Sequence, residues 1–215
     1  SKCFNSWGNL AIGYINLGEQ KKAEIACRKS IELKPDNFKA YLTLATILKY
    51  FGKADEAEFS IRKAIQLQPN SAESHSFLGS ILIDLGKLKE AENSCIKAIE
   101  INPNHIKGYF VLSTLKSSNK TQVWQNKLFT EEILKGKKKE DQIDIYFARA
   151  NLLHKEKQYK ESSKYYILAN KSKLTIHPSK SDKLIQKNKL LLQQSKNLNI
   201  QYKDDSQPIE SIFIV

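Results

Sequence analysis

The side chains of this 215-residue chain best suited to metal or covalent chemistry are four histidines and three cysteines. His75, His105, His154 and His177 lie far apart, and none has the i, i+4 partner or the CxxC companion that a zinc site requires. Cys27 and Cys95 are 68 residues apart and fall in phase with Ile61, which reads as two buried, inert thiols. No GxSxG, GxGxxG or Walker-type loop occurs. The sequence therefore assigns no catalytic, metal-binding or cofactor-binding residue, and the chain itself is expected to be non-catalytic. An odd cysteine count without a signal-peptide pattern fits a reducing compartment, so the expected location is cytoplasmic.

What remains is recognition by a surface. With 40% apolar and 27% charged residues, few glycines and prolines, and no apolar run of about 20 residues, the composition is that of a helical chain that does not span a bilayer. The formal charge is +12, and residues 106–215 hold 21 Lys+Arg against 11 Asp+Glu. All but one of those cations are lysines, Arg149 being the exception, scattered among amides and hydroxyls. Lysine is a solvated point charge without the planar fork that reads bases, so solvated helix faces are expected first and an acidic partner or neighbouring domain second, rather than a specific nucleic-acid reader or a membrane anchor.

The elements that position such a surface are set by a repeat. Sliding the chain by 34 residues superposes Trp7, Tyr41, His75 and Tyr109, then Leu10, Leu44, Leu78 and Leu112, then Ala11, Ala45, Gly79 and Ser113. Tyr14, Leu48 and Leu82 align further down, as do Gly18, Gly52 and Gly86, Ala23, Ala57 and Ala91, Ile31, Ile65 and Ile99, and Pro35, Pro69 and Pro103. The first three columns form one stripe on a first helix, the glycine ends that helix, the alanines permit a close crossing, and the proline ends the second helix. His75 stands in an aromatic column, so packing between helices is its expected role. The Asp or Asn directly after each proline is expected to cap the next helix.

These columns resemble the tetratricopeptide repeat family. The resemblance implies an all-α, right-handed superhelical solenoid of antiparallel helix hairpins, with clear repeats at 4–37, 38–71 and 72–105 and a degenerate fourth at 106–142. The fourth loses its turn glycine and proline, and its second helix is expected at Gln122–Leu134 with Trp124, Leu128 and Ile133 inward. A further weak hairpin fits residues 143–197, with Tyr146, Ala150 and Leu153 on one helix, Tyr159 at the turn, and Ser162, Tyr166 and Ala169 on the other; a basic helix at about Asp182–Lys196 follows. The absence of methionine, even at position 1, and a first repeat of interior character read as an excerpt from a longer array.

In this family the first helices line a concave face that holds an extended peptide. Carried onto this sequence, that face presents Asn5, Asn9, Ile12 and Asn16, then Lys39, Leu42, Thr43, Thr46 and Lys49, then Glu73, Ser76, Phe77, Ser80 and Asp84, and finally Lys107 and Phe110. Amides and hydroxyls would take a peptide backbone, and Leu42, Phe77 and Phe110 its side chains. Some members grip a partner's terminal carboxylate with lysine, arginine and asparagine. Here Gly8 and Ile12, or one unit on Leu42 and Thr46, stand in the first clamp positions, and only Asn9 and Lys39 match, so that mode is not expected. The expected partner is a protein or peptide.

Residues 198–215 read as a polar linker followed by Ile209-Glu210-Ser211-Ile212-Phe213-Ile214-Val215, which has the composition of a buried parallel strand. Repeats, a basic helical spacer and such an orphan strand resemble the amino-terminal part of a bacterial repeat-containing sulfotransferase. There, a phosphosulfate-binding loop of the G-x-P-R-S-G type follows the strand. The resemblance implies 3′-phosphoadenylyl sulfate as cofactor of a domain beyond Val215, with none bound by this chain. The other reading is a free-standing scaffold that assembles a protein complex, and a weaker third is an RNA-associated helical repeat.

Overall fold

The computed structural model describes residues 3–115 and 122–178. Three hairpins come first: α1 (Cys3–Asn16) with α2 (Gln20–Leu33), α3 (Phe38–Tyr50) with α4 (Ala54–Leu67), and α5 (Ala72–Asp84) with α6 (Leu88–Ile101). α7 (Ile106–Thr114), α8 (Gln122–Leu128), a 3₁₀ turn at Glu131–Leu134, α9 (Lys139–Lys155) and α10 (Tyr159–Ile176) follow. Contacts divide the chain after Ser172, and beyond it only Lys173–Pro178, the end of α10 and two residues more, are described. The expected helix at 182–196, the linker and the strand at 209–215 lie outside the described residues.

The turns explain why the hairpins recur. Gly18, Gly52 and Gly86 have φ of 75°, 73° and 72°. Each passes the chain out of its helix so that the next N–H bonds back to the third-last helical carbonyl: Glu19 to Tyr14 at 2.8 Å, Lys53 to Leu48 at 2.9 Å, Lys87 to Leu82 at 2.8 Å. This 6→1 closure satisfies carbonyls the helix leaves open, and only glycine enters the left-handed region without a Cβ penalty. At the other end, the residue before each proline is extended, as in Lys34 (φ −146°, ψ 89°) and Asn102 (φ −136°, ψ 97°), which ends the second helix. The expected caps after proline are corrected. Asp36, Asn70 and Asn104 lie within the turn, and the N-cap positions are Asn37, Ser71 and His105, one residue later. Proline starts a two-residue turn closed by Asn37 N–H on Lys34 O at 3.2 Å and His105 N–H on Asn102 O at 2.9 Å, so the Asx residue is consumed in it. Of these three N-caps only the Ser71 side chain accepts from the helix, from Ser74 N–H at 3.2 Å.

The core is one continuous seam of small and branched side chains. Ala11, Ala23, Ala45, Ala57 and Ala91 are fully buried at the crossings, with Cys27, Ile61 and Cys95 beside them. Burial pushes both thiols up to about 12, so neither is a thiolate near neutrality. In two units the aromatic column ties the first helix to the turn before it: His75 Nε2 meets Pro69 O at 2.8 Å, and Tyr109 Oη donates to Pro103 O at 3.0 Å.

The fourth unit differs from expectation. One helix over Gln122–Leu134 was expected, but the helix stops at Leu128 and a 3₁₀ turn replaces its second half. The cause is Arg149, 2% exposed, whose Nε and Nη2 donate to the carbonyls of Leu128 and Thr130 at 2.9 Å each. Its guanidinium also lies 5.7 Å from the Phe129 ring and 5.5 Å from the Tyr165 ring. Trp124, Leu128 and Ile133 are nevertheless buried. α9 packs along α7, and Lys155 closes the α7 end where a glycine is missing, its ammonium donating to the carbonyls of Ser113 and Leu115. Lys157, with φ of 62°, occupies the glycine place between α9 and α10, and Gln158 N–H bonds to Leu153 O at 2.8 Å, as in the earlier turns.

Candidate functional site

α3, α5, α7 and α9 present one flank each to a groove of about 450 Å³. Its walls are Leu42 and Thr46 from α3, Glu73, Ser76, Phe77 and Ser80 from α5, Lys107, Phe110 and Val111 from α7, and Asp144 from α9. Eight of these ten belong to the face expected from the repeat. They meet because successive first helices lie side by side, and residues one and two turns apart on each point the same way. Leu42, Phe77 and Val111 also rest against the core, so the groove has an apolar floor that is fixed from behind.

The other expected residues do not line this groove. Asn5, Asn9, Ile12 and Asn16 are exposed on α1, and Lys39 is exposed on α3. Thr43 turns its hydroxyl to Lys39 O at 2.9 Å, and Thr46 does the same to Leu42 O at 3.0 Å. Lys49 is tied to the Asp84 carboxylate and lies 3.4 Å from Ser80 O, so both charges of that pair are engaged within the protein. Ser76 lines the groove as expected from the repeat but is only 3% exposed. Its Oγ lies within hydrogen-bond distance of Glu73 O at 3.0 Å and of His105 Nε2 at 2.7 Å, the ring tautomer setting which of the serine and the imidazole donates.

Val111 and Asp144 were missed, and a signal for Asp144 existed. Tyr146, Ala150, Leu153 and Ser162 continue the aromatic, small, aliphatic and alanine columns of the repeat, thirty-seven residues beyond Tyr109, Ser113 and their companions. The same step carries Lys107 to Asp144, so one column runs Asn5, Lys39, Glu73, Lys107, Asp144. Two carboxylates, Glu73 and Asp144, stand on the groove wall, and Asp141, about one turn before Asp144 on α9, adds its charge nearby. Partial burial raises the Asp144 pKa above 3.8, Lys107 opposing and Asp141 adding to the shift. Burial also lowers the His105 pKa below 6.5, with Glu73 and Asp141 pulling it up and Lys107 down. Among the described residues, neither the Glu73 nor the Asp144 carboxylate has a hydrogen-bond or ion-pair partner.

Sequence profiles described as tetratricopeptide repeat match residues 4–37, 72–105 and 143–174, and a second profile of the same description matches 26–59; together they span more than half of the chain. No curated protein matches. Solved structures with the same fold include PilF of Pseudomonas aeruginosa (TM-score 0.58, 20% identity, 80% of this chain and 77% of that one). MamA matches with a TM-score of 0.54 and 18% identity, over 83% of this chain and 97% of its own. The first repeat domain of Spaghetti (RPAP3), solved with the HSP90 peptide SRMEEVD, matches with a TM-score of 0.52 and 21% identity, over 53% of this chain and 90% of that one. At these identities the likeness is one of fold. No described helix is long and apolar enough to cross a membrane.

Proposed function

Since the chain belongs to the tetratricopeptide repeat family, we propose that it is a protein-interaction module whose groove between α3, α5, α7 and α9 holds an extended peptide segment of a partner. The observation that carries this reading is the groove itself: an apolar floor of Leu42, Phe77, Phe110 and Val111 rimmed by hydroxyls and charges. Such a floor can desolvate one or two side chains, and buried anchors of this kind dominate peptide interfaces while rim charges contribute little. A peptide-bound neighbour of the same fold supports the mode of binding. Panning phage-displayed random dodecapeptides on the chain tests it. Enriched peptides should lose about tenfold or more in affinity on Phe110→Ala, a change of roughly 1.4 kcal/mol or more, and bind normally to Phe59→Ala, which alters an exposed ring on α4. Binding indifferent to the groove substitution sinks the reading.

The wider context we propose is that of a cytoplasmic, repeat-containing sulfotransferase, in which this module presents a protein substrate and a separate domain uses 3′-phosphoadenylyl sulfate. Its support is the resemblance of Ile143–Lys171 to the spacer of such enzymes and, above all, of Ile209–Val215 to their first strand. The encoding locus decides it. A G-x-P-R-S-G type loop encoded directly after Val215 is the expected finding, and a different continuation removes the sulfotransferase context while leaving the interaction module intact.

A further inference from the structure

The chain carries a formal +12, yet the groove wall holds two carboxylates to one lysine. Glu73 and Asp144 face Lys107 alone across its wall, and Asp141 stands close enough behind to raise the pKa of both Asp144 and His105. The neighbouring Lys49 is neutralised by Asp84. Burial disfavours the protonated His105 ring, which therefore adds little positive charge at neutral pH. Lys107 forms no ion pair with either carboxylate among the described residues. A half-buried carboxylate without a donor is a costly group that a cation from outside would satisfy.

Resting on the interaction reading above, we infer that the groove selects peptides in which an aromatic or aliphatic anchor lies next to a lysine or arginine, the anchor seated on Phe77 and Phe110 and the cation placed on the Asp144 carboxylate, with Glu73 as a second carboxylate on the wall. Charge complementarity argues for this occupant. A segment with acidic flanks would bring further negative charge against two carboxylates, and a neutral one would leave the half-buried Asp144 without a donor.

The test resynthesises the best phage-selected peptide in three fluorescein-labelled forms whose residues flanking the anchor are all lysine, all serine or all glutamate, and measures affinity by anisotropy. The lysine form should bind about tenfold or more tighter than the glutamate form, as expected for one or two charge-assisted contacts at a partly buried site. Asp144→Asn should shrink the preference to about threefold or less, and Asp144→Lys should reverse it. Glu73→Gln, at an exposed position that leaves the core untouched, provides a second variant with the same expected direction. Equal binding of the three forms, with loss on Phe110→Ala, overturns this inference and leaves the interaction reading standing. Failure of every form to bind in a manner dependent on Phe110 overturns both.

Discussion

Phe77 and Leu78 are adjacent in the chain and face different surroundings. Phe77 lines the groove and is half-buried, whereas Leu78, 4% exposed, belongs to the inter-helix seam. Leu78→Ala should cost roughly 2–5 kcal/mol of folding free energy by leaving a cavity. Phe77→Ala should cost less stability but about 1–3 kcal/mol of peptide binding. Urea titrations paired with anisotropy separate the two, and equal loss of stability would mean that Phe77 is a core residue. Gly79 offers a sharper case, because a Cβ built there would stand 2.2 Å from Cys95 Sγ. Gly79→Ala should therefore destabilise by about 1–3 kcal/mol through overpacking. Adding Cys95→Ala removes the obstructing sulfur, so the double variant should be more stable than Gly79→Ala alone. No such rescue would place the obstruction at the Ala91 carbonyl, 3.2 Å from the same Cβ, rather than at the sulfur.

Among the elements, what was legible in the sequence was whatever the 34-residue period carried: three hairpins, their glycine turns, their proline stops and most of the groove. What was not legible depended on partners far along the chain. Nothing between Gln122 and Leu134 announces that a guanidinium from α9 will take the carbonyls of Leu128 and Thr130 and break the helix there. Arg149 stands in the column that holds Leu10, Leu44, Leu78 and Leu112, so a buried cation replaces a leucine at a place where periodicity alone promises an apolar side chain. Lys157 is the converse, a position whose geometry follows the repeat although its residue does not. At φ of 62° it holds a conformation that glycine adopts without strain, so Lys157→Gly should stabilise the α9–α10 hairpin by about 0.5–1 kcal/mol. Hydrogen exchange of the α10 amides reports it locally. Faster exchange in the glycine variant would show that the backbone entropy of glycine outweighs the relief of strain.

Over the whole molecule, each hairpin mainly touches its neighbours, and stability is close to a sum of hairpin and interface contributions. Ion pairs repeating with the 34-residue period link those interfaces: Arg28 binds Glu24 at 2.8 Å and Glu56 at 3.1 Å, and Lys53 reaches Glu24 at 3.5 Å. One unit on, Arg62 binds Glu58 at 2.8 Å and Glu90 at 3.0 Å, with Lys87 on Glu58 at 2.7 Å. The cations are about half exposed, so each pair contributes only about 0–1 kcal/mol, but all weaken together in acid. The hydrogen bond from Lys87, against partial burial and with help from Arg62, holds the Glu58 carboxyl below its ordinary 4.5. At Glu24 burial pushes upward most strongly, yet Arg28 and Lys53 leave the net shift downward. A carboxyl with a depressed folded pKa binds fewer protons folded than unfolded, so its contribution is complete above the ordinary carboxylate range and is lost as pH falls through the folded value. Asp144 has the opposite sign: its raised pKa makes the folded state the better proton acceptor, so acid relieves the cost of burying it. Urea midpoints should therefore fall between about pH 6 and pH 3, and fall less in the double variant Glu24→Gln/Glu58→Gln. Asp144→Asn should be more stable than wild type at neutral pH, with the advantage shrinking in acid. An unchanged acid loss in the double variant would place the sensitivity in other carboxylates, and an Asp144→Asn protein less stable at neutral pH would show that the carboxylate holds α9 in place.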